Sequence, residues 1–189
     1  MPVLLDDIQW GKPFIPPAED KALEKKIRKM LPPMPYPEHF RWLGRVPWVV
    51  EAVAGLVVKP RVIDLPPRFY HLVALVACQE NSCRYCYGSQ RAEMRLLGYG
   101  DEDLRKLEMD IYEGDRDVAV LSEFVRALSQ SNPRPAKREY DALKSIGLSD
   151  KAVAEVVALT VANCFGNRAQ TISAAPPNNP MERIAASPW

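Results

Sequence analysis

The chain has 189 residues, of which 47% are hydrophobic and 26% charged, and its formal net charge is +1 at pH 7. This length suits one globular domain with an ordered extension. So balanced a charge gives no reason to expect nucleic acid or an anionic membrane surface as a partner. No apolar run reaches the ~20 residues that span a bilayer, and the first residues lack the order of a signal peptide, so we expect a cytoplasmic protein.

Eighteen prolines divide the chain into segments. The prolines between residues 2 and 17 predict an irregular arm, because each removes a backbone donor and restricts its neighbour. A helix is expected from about Asp20 until Pro32 and Pro33 stop it. The segment PPMPYPEHF then predicts a rigid loop, and Pro47 is a favourable first-turn residue for the apolar helix that follows.

The second half of the chain predicts only helices. The stretch from Phe69 to Gln79 is almost entirely apolar, which indicates a buried helix. The next helix continues to about Leu97, where Gly98 ends it. Three amphipathic stretches and a final helix from about Asp150 follow, the last with a clear 3.6-residue apolar period. No stretch predicts a strand, so the expected fold class is all-α.

The composition and the helix-breaking residues suggest that the chain has three parts. Residues 1–42 form a proline-rich N-terminal arm and helix, residues 43–173 a helical domain, and residues 174–189 an irregular C-terminal tail. Four cysteines are too few for a disulfide-stapled secreted scaffold, so we expect reduced or redox-cycling thiols.

The segment YHLVALVACQENSCRYCYGSQ, residues 70–90, concentrates the reactive side chains. It holds three of the four cysteines and one of the two histidines. Cys83 and Cys86 stand where a new helix begins, and unpaired backbone N–H groups in a first helical turn favour a thiolate. Two cysteines three residues apart can also close a disulfide. This pattern indicates redox chemistry. The sequence does not decide which cysteine attacks first, although the first-turn position favours Cys83 as the exposed thiolate.

Together with the distal segment YDALKSIGLSDKAVAEVVALTVANCFGNR, this segment resembles the alkylhydroperoxidase D/carboxymuconolactone decarboxylase superfamily, from roughly Leu43 to Thr171. The resemblance implies an alkylhydroperoxidase D-like bundle of about six helices that assembles as a homo-oligomer. It also implies an antioxidant peroxidase that reduces hydroperoxides or disulfides with its CxxC pair. A thiol reductant, such as a lipoyl protein or a thioredoxin-like donor, would restore the pair. No organic cofactor is expected, because no glycine loop could cradle a phosphate.

The peroxidase branch of this superfamily places a Glu twelve residues before the first cysteine and a His four residues after the second, as a proton relay. Here His71 occupies the Glu position and Gln90 the His position. His71 could take a thiol proton, whereas Gln90 can only donate or accept a hydrogen bond, so we treat the two as a permuted relay by hypothesis. Glu80, as a substitute acid or base, and Tyr87, as a pocket residue, are further candidates.

Other interpretations remain open at this point. Cysteines can be small core residues, which is what the apolar surroundings of Cys78 and Cys164 predict. The four cysteines could hold an iron–sulfur cluster or zinc. Such sites lie on loops, however, and Cys78 and Cys164 are expected within helices. A carboxymuconolactone decarboxylase-type lyase would not need the CxxC pair. The absence of the usual Glu and His leaves room for a non-catalytic binding or stress-response protein.

Overall fold

The computed structural model describes Leu4 and residues 18–30, 38–58, 64–130 and 137–173. Within these ranges it contains nine α-helices and no strand, which confirms the all-α fold. The helices are α1 (Lys21–Arg28), α2 (Glu38–Leu43), α3 (Pro47–Val58), α4 (Pro67–Glu80), α5 (Arg84–Leu96), α6 (Asp101–Glu108), α7 (Arg116–Ser129), α8 (Lys137–Ser145) and α9 (Asp150–Ser173).

Helix α4 is the centre of the bundle and packs against α5, α7 and α9. Its residues 72–79 are all buried, as the apolar run in the sequence predicted. A helix that is apolar on every side can be stable in water only when other helices cover it. The main core joins α4 to α7, α8 and α9 through Leu72, Val76, Leu121, Val125, Leu143 and Val156.

A second apolar cluster lies among the first three helices. Ile27 of α1, Phe40 of α2 and Val50 of α3 are almost completely buried there, and Ala169 of α9 closes the cluster. The long helix α9 therefore contacts both clusters. Neither α9 nor any other helix in the described ranges is long and apolar enough to cross a membrane.

Several helix boundaries follow from the predicted signals. Asp20 is the N-cap of α1 and accepts a hydrogen bond from the Leu23 backbone N–H, at 2.8 Å. Pro47 opens α3 as expected. The predicted rigid loop PPMPYPEHF is wrong at its end, because α2 begins at Glu38, directly after the last proline, where proline no longer restricts the backbone. Residues 31–37, most of the predicted arm and the whole predicted tail lie outside the described residues.

Candidate functional site

A tight junction between α4 and α5 carries the CxxC pair. Ser82 adopts a left-handed conformation with φ 51°, which reverses the chain between the two helices. The Cys83 backbone N–H then donates to the Cys78 carbonyl oxygen at 3.1 Å, and Cys83 itself is the N-cap of α5. The cysteine pair consequently lies at the start of α5, as the sequence predicted.

The left-handed Ser82 leads to a first prediction. A non-glycine residue pays about 1 kcal/mol or more in this conformation, and glycine does not. We expect Ser82→Gly to raise the free energy of unfolding of the oxidised protein by about 1 kcal/mol, measured by urea denaturation. Ser82→Ala keeps the strain and is the matched control. Equal stability of the two variants would contradict the prediction.

Cys83 and Cys86 form a disulfide, with their Cα atoms 5.4 Å apart, inside the usual range for such a bond. The Cys86 backbone N–H donates to the Cys83 Sγ at 3.4 Å. Cys83 is only 1% exposed, whereas Cys86 is partly exposed. The expectation that Cys83 would be the exposed sulfur is therefore wrong, because packing between α4 and α5 covers the N-cap position.

Cys86 is the more exposed cysteine of the pair, and its side chain packs on apolar groups. Leu75, Cys78 and Tyr87 form a small buried cluster, and Cys86 and Leu107 pack against it. A partly exposed cysteine that packs on apolar side chains can react with a small molecule from solvent, while those side chains shield it from water on one side.

His71 and Gln90, predicted as a permuted relay, are hydrogen-bonded to each other. The His71 Nδ1 and Gln90 Oε1 atoms are 3.2 Å apart, and both side chains are partly buried. Gln90 lies four residues after Cys86, so it occupies the same face of α5, about 6 Å further along the axis. The fold thus brings together the two residues predicted as a permuted relay, and Gln90 lies about one helical turn from Cys86.

The two remaining cysteines are not part of the disulfide. The Cys78 thiol is buried and donates to the Asn167 Oδ1 at 3.3 Å, and burial raises its pKa far above the ordinary value. It therefore stays protonated and unreactive, as expected of a core cysteine. Cys164 is half-buried rather than in the core, and its Sγ accepts a hydrogen bond from the Asn81 amide at 3.3 Å.

Tyr87 does not line an open pocket, because it is completely buried. One turn along α5, Arg91 forms a buried ion pair with Glu108 of α6, with 2.6 Å between Nη1 and Oε1. Burial is the main cause that raises the Tyr87 pKa, and the negative charge of Glu108 adds to it. These three side chains attach the back of the CxxC helix to α6.

Glu80 is the last residue of α4 and does not point freely into solvent. Its carboxylate pairs with Arg126 of α7, which also binds the Asp110 carboxylate and donates to the Gln79 Oε1. The Gln79 amide in turn donates to the Glu108 carbonyl at 2.8 Å. The candidate acid or base is thus engaged in a polar network that anchors the end of α4.

Sequence reasoning missed Arg91, Glu108 and Arg126, the charged residues that position the junction. The spacing of Tyr87 and Arg91, four residues apart, was the available signal, because it places a cation on the same face as an aromatic residue that could pack inward. In the described part of the chain, no group of three or more His, Cys, Asp or Glu side chains is arranged to hold a metal ion.

The described chain has an all-helical fold with a CxxC pair at the junction of α4 and α5, and solved structures share this fold. One is the debrominase Bmp8 without ligand, with a TM-score of 0.71 and 15% identity over 91% of this chain and 96% of that one. Another is a Cys-to-Ala variant of Bmp8 in complex with 2,3,4-tribromopyrrole, with a TM-score of 0.68 and 15% identity over 94% and 98%. No protein-family model matches the sequence, and no curated protein matches it significantly.

Proposed function

We propose that the chain is a thiol-dependent oxidoreductase that reduces a small hydroperoxide with the Cys83–Cys86 pair. The observation that carries the proposal is the disulfide at the start of α5, with one buried and one partly exposed sulfur. A disulfide of this kind can be opened by an external thiol at its accessible sulfur. Cys86 is that sulfur, and Cys83 is the resolving partner.

The chemistry balances with these two residues. The Cys86 thiolate attacks the terminal oxygen of the hydroperoxide, so that an S–O bond forms, the O–O bond breaks and the alkoxide leaves as an alcohol after taking up a proton. Cys83 then attacks the sulfenic acid sulfur, which releases water and forms the disulfide. A dithiol reductant, such as a lipoyl or thioredoxin-like protein, returns two electrons and two protons by exchange.

His71 is the group in this arrangement that can move a proton. Its Nδ1 is bound to Gln90, which can orient the imidazole ring but cannot accept and return a proton. The other ring nitrogen, Nε2, can then exchange protons with a thiol or with the leaving alkoxide, directly or through water. We propose that His71 and Gln90 act as base and orienting group.

This relay predicts a measurable loss of activity. We expect His71→Ala to slow peroxide-driven oxidation of the dithiol by about 10²-fold, because a positioned general base contributes about that much. The matched variant is the double substitution His71→Glu with Gln90→His, which restores the superfamily pattern and should recover most of the rate. Rapid-mixing measurements of disulfide formation provide the test. An unchanged rate in His71→Ala would remove His71 from the mechanism.

A reductive debrominase is the second candidate. The observation that favours it is the similarity to Bmp8 along almost the whole chain, including a complex of that protein with 2,3,4-tribromopyrrole. The electron balance is the same as for a peroxide: an aryl bromide and a dithiol give the debrominated arene, bromide, a proton and a disulfide. The partly exposed Cys86 on its apolar floor would suit a flat, apolar ring.

One experiment tests both candidates. The reduced protein is mixed under anaerobic conditions with one equivalent of cumene hydroperoxide or of 2,3,4-tribromopyrrole, and the cysteines are mapped by mass spectrometry. A rapid Cys83–Cys86 disulfide with stoichiometric alcohol supports the peroxidase, and a disulfide with stoichiometric bromide supports the debrominase. If the pair stays reduced with both compounds, the oxidoreductase proposal is wrong and a non-catalytic binding protein becomes the better explanation.

A further inference from the structure

A hollow of about 370 Å³ lies where α5, α6 and α7 meet, and this volume is in the range of small-molecule sites. Its lining includes the connection from α5 to α6, which reverses at Gly98 with φ 94°, and the connection from α6 to α7. Leu96, at the end of α5, lies ten residues beyond Cys86, which is about 15 Å along the helix axis. The hollow is therefore separate from the cysteine pair.

Apolar side chains form much of the wall of this hollow. Val118 of α7 is buried and Leu107 of α6 is half-buried, whereas Leu97 and Ile111 are 43% and 37% exposed. Exposed apolar side chains that are scattered singly need no explanation, but these two lie at one cavity with two further apolar residues behind them. A ligand with an apolar body would remove this surface from water, which is favourable.

Two tyrosines also line the hollow. Tyr99 and Tyr112 are both half-buried. The Tyr112 hydroxyl donates to the Asp110 Oδ1 at 2.7 Å, which restrains its ring, and the Tyr99 hydroxyl makes no hydrogen bond to any residue that the structure describes. Because the face of an aromatic ring attracts a positive charge, two tyrosine rings in one lining favour a cationic ligand.

The charges in the lining are mainly negative. The carboxylates of Asp103, Glu113 and Asp115 stand there with the ammonium group of Lys106. Lys106 binds Glu102 at 3.2 Å, and its pKa is raised mainly by that contact, with Glu113 and Asp103 adding to the effect. Asp103 and Asp115 accept hydrogen bonds from backbone N–H groups. Glu113 is exposed and has no ion-pair partner in the part of the chain that the structure describes, so its charge is available to a ligand.

We propose that this hollow is a binding site for an organic amine, whose apolar ring lies against Leu97, Ile111 and Val118 and whose ammonium group meets the Glu113 carboxylate and the tyrosine rings. The apolar wall selects the ring, and the excess of carboxylates selects the positive charge. The site is independent of the redox function, because its lining contains neither cysteine of the CxxC pair and neither His71 nor Gln90.

Three indole compounds that differ only in charge test the proposal, by NMR titration of the ¹⁵N-labelled full chain. We expect tryptamine to bind with a submillimolar Kd and to shift the amide signals of Gly98, Tyr99, Ile111 and Glu113. Neutral tryptophol should bind about 3–5-fold more weakly, and anionic indole-3-propionate about 10-fold more weakly or less, because each loses the attraction to the carboxylates and the aromatic rings.

Two pairs of variants test the residues of the hollow. Leu97→Trp should raise the tryptamine Kd by about 10-fold or more by filling the space, whereas Leu96→Trp, next to it but outside the lining, should leave the Kd unchanged. Glu113→Gln should raise the Kd by about 3–5-fold, and Glu123→Gln, which removes an exposed carboxylate of α7 outside the lining, should not. Circular dichroism checks that all four variants are folded.

Three results would overturn the proposal. The first is the absence of a saturable shift with tryptamine up to about 10 mM, which is weaker than any specific site of this kind should be. The second is a set of shifts centred on Cys86 and Gln90, which would place the amine at the redox pair. The third is tighter binding of indole-3-propionate than of tryptamine, which would make Lys106 the selecting charge and the ligand an anion.

Discussion

Cys86→Ser is expected to abolish reduction of the hydroperoxide, with a loss of ~10³-fold or more in turnover, because Cys86 is the only cysteine of the pair that is partly exposed. Cys83→Ser should also lose steady-state turnover, but for a different reason. Its Cys86 thiolate can still react once, and the sulfenic acid that forms has no resolving partner. The two variants therefore separate attack from resolution.

The measurement is a single-turnover assay with a sulfenic-acid reagent such as dimedone, followed by mass spectrometry. We expect one dimedone adduct on Cys86 in Cys83→Ser and none in Cys86→Ser. Cys164→Ser is the matched control, because it removes a half-buried thiol that is not part of the disulfide, and it should keep full activity. A dimedone adduct on Cys83 of the Cys86→Ser variant, with none in Cys83→Ser, would show that the roles are reversed.

The largest expected effect on stability belongs to the ion pair between Arg91 and Glu108. Both side chains are less than 10% exposed, so removing either one leaves the charge of the other buried without this ion pair. We expect Glu108→Ala to lower the free energy of unfolding by about 3–5 kcal/mol, measured by urea denaturation. The loss should appear in the oxidised and the reduced protein alike, because the pair does not include a cysteine.

Two comparisons make this prediction specific. Replacing both partners, Arg91→Met with Glu108→Leu, should recover most of the lost stability, since no charge is then left buried. The exposed pair of Lys137 and Asp141 is the matched control, and Asp141→Ala should change the free energy of unfolding by less than about 1 kcal/mol. Equal losses in Glu108→Ala and Asp141→Ala would show that burial does not govern the energy of the inner pair.

Part of the candidate site could be predicted because its signals are local. A CxxC after a polar break predicts cysteines at a helix start, and Cys83 is indeed the N-cap of α5. The meeting of His71 and Gln90 also follows from short-range geometry, since two consecutive helices joined by a tight turn pack antiparallel and bring such positions together. The resemblance to a known superfamily drew attention to these two positions.

Other parts of the site could not be predicted from the sequence. The chemistry of a CxxC pair is the same whichever sulfur faces solvent, and Cys83 is hidden only because α5 packs against α4. Arg91 and Glu108 belong to segments rich in charged residues, for which solvent exposure is the ordinary expectation. Their burial results from the contact between α5 and α6, and pairing offsets part of its cost.

The all-α fold class, most helix boundaries and the position of the CxxC pair could be predicted from the amino-acid sequence, because prolines, caps and apolar periods act within a few residues. The packing of the helices was needed to establish that Cys86 is the more exposed cysteine, that Glu80 is bound to Arg126, and that a charged pair lies beneath the CxxC helix. Exposure and pairing depend on which helix faces meet. The arrangement of helix faces minimises the free energy of the whole bundle, so it cannot be predicted from any single segment.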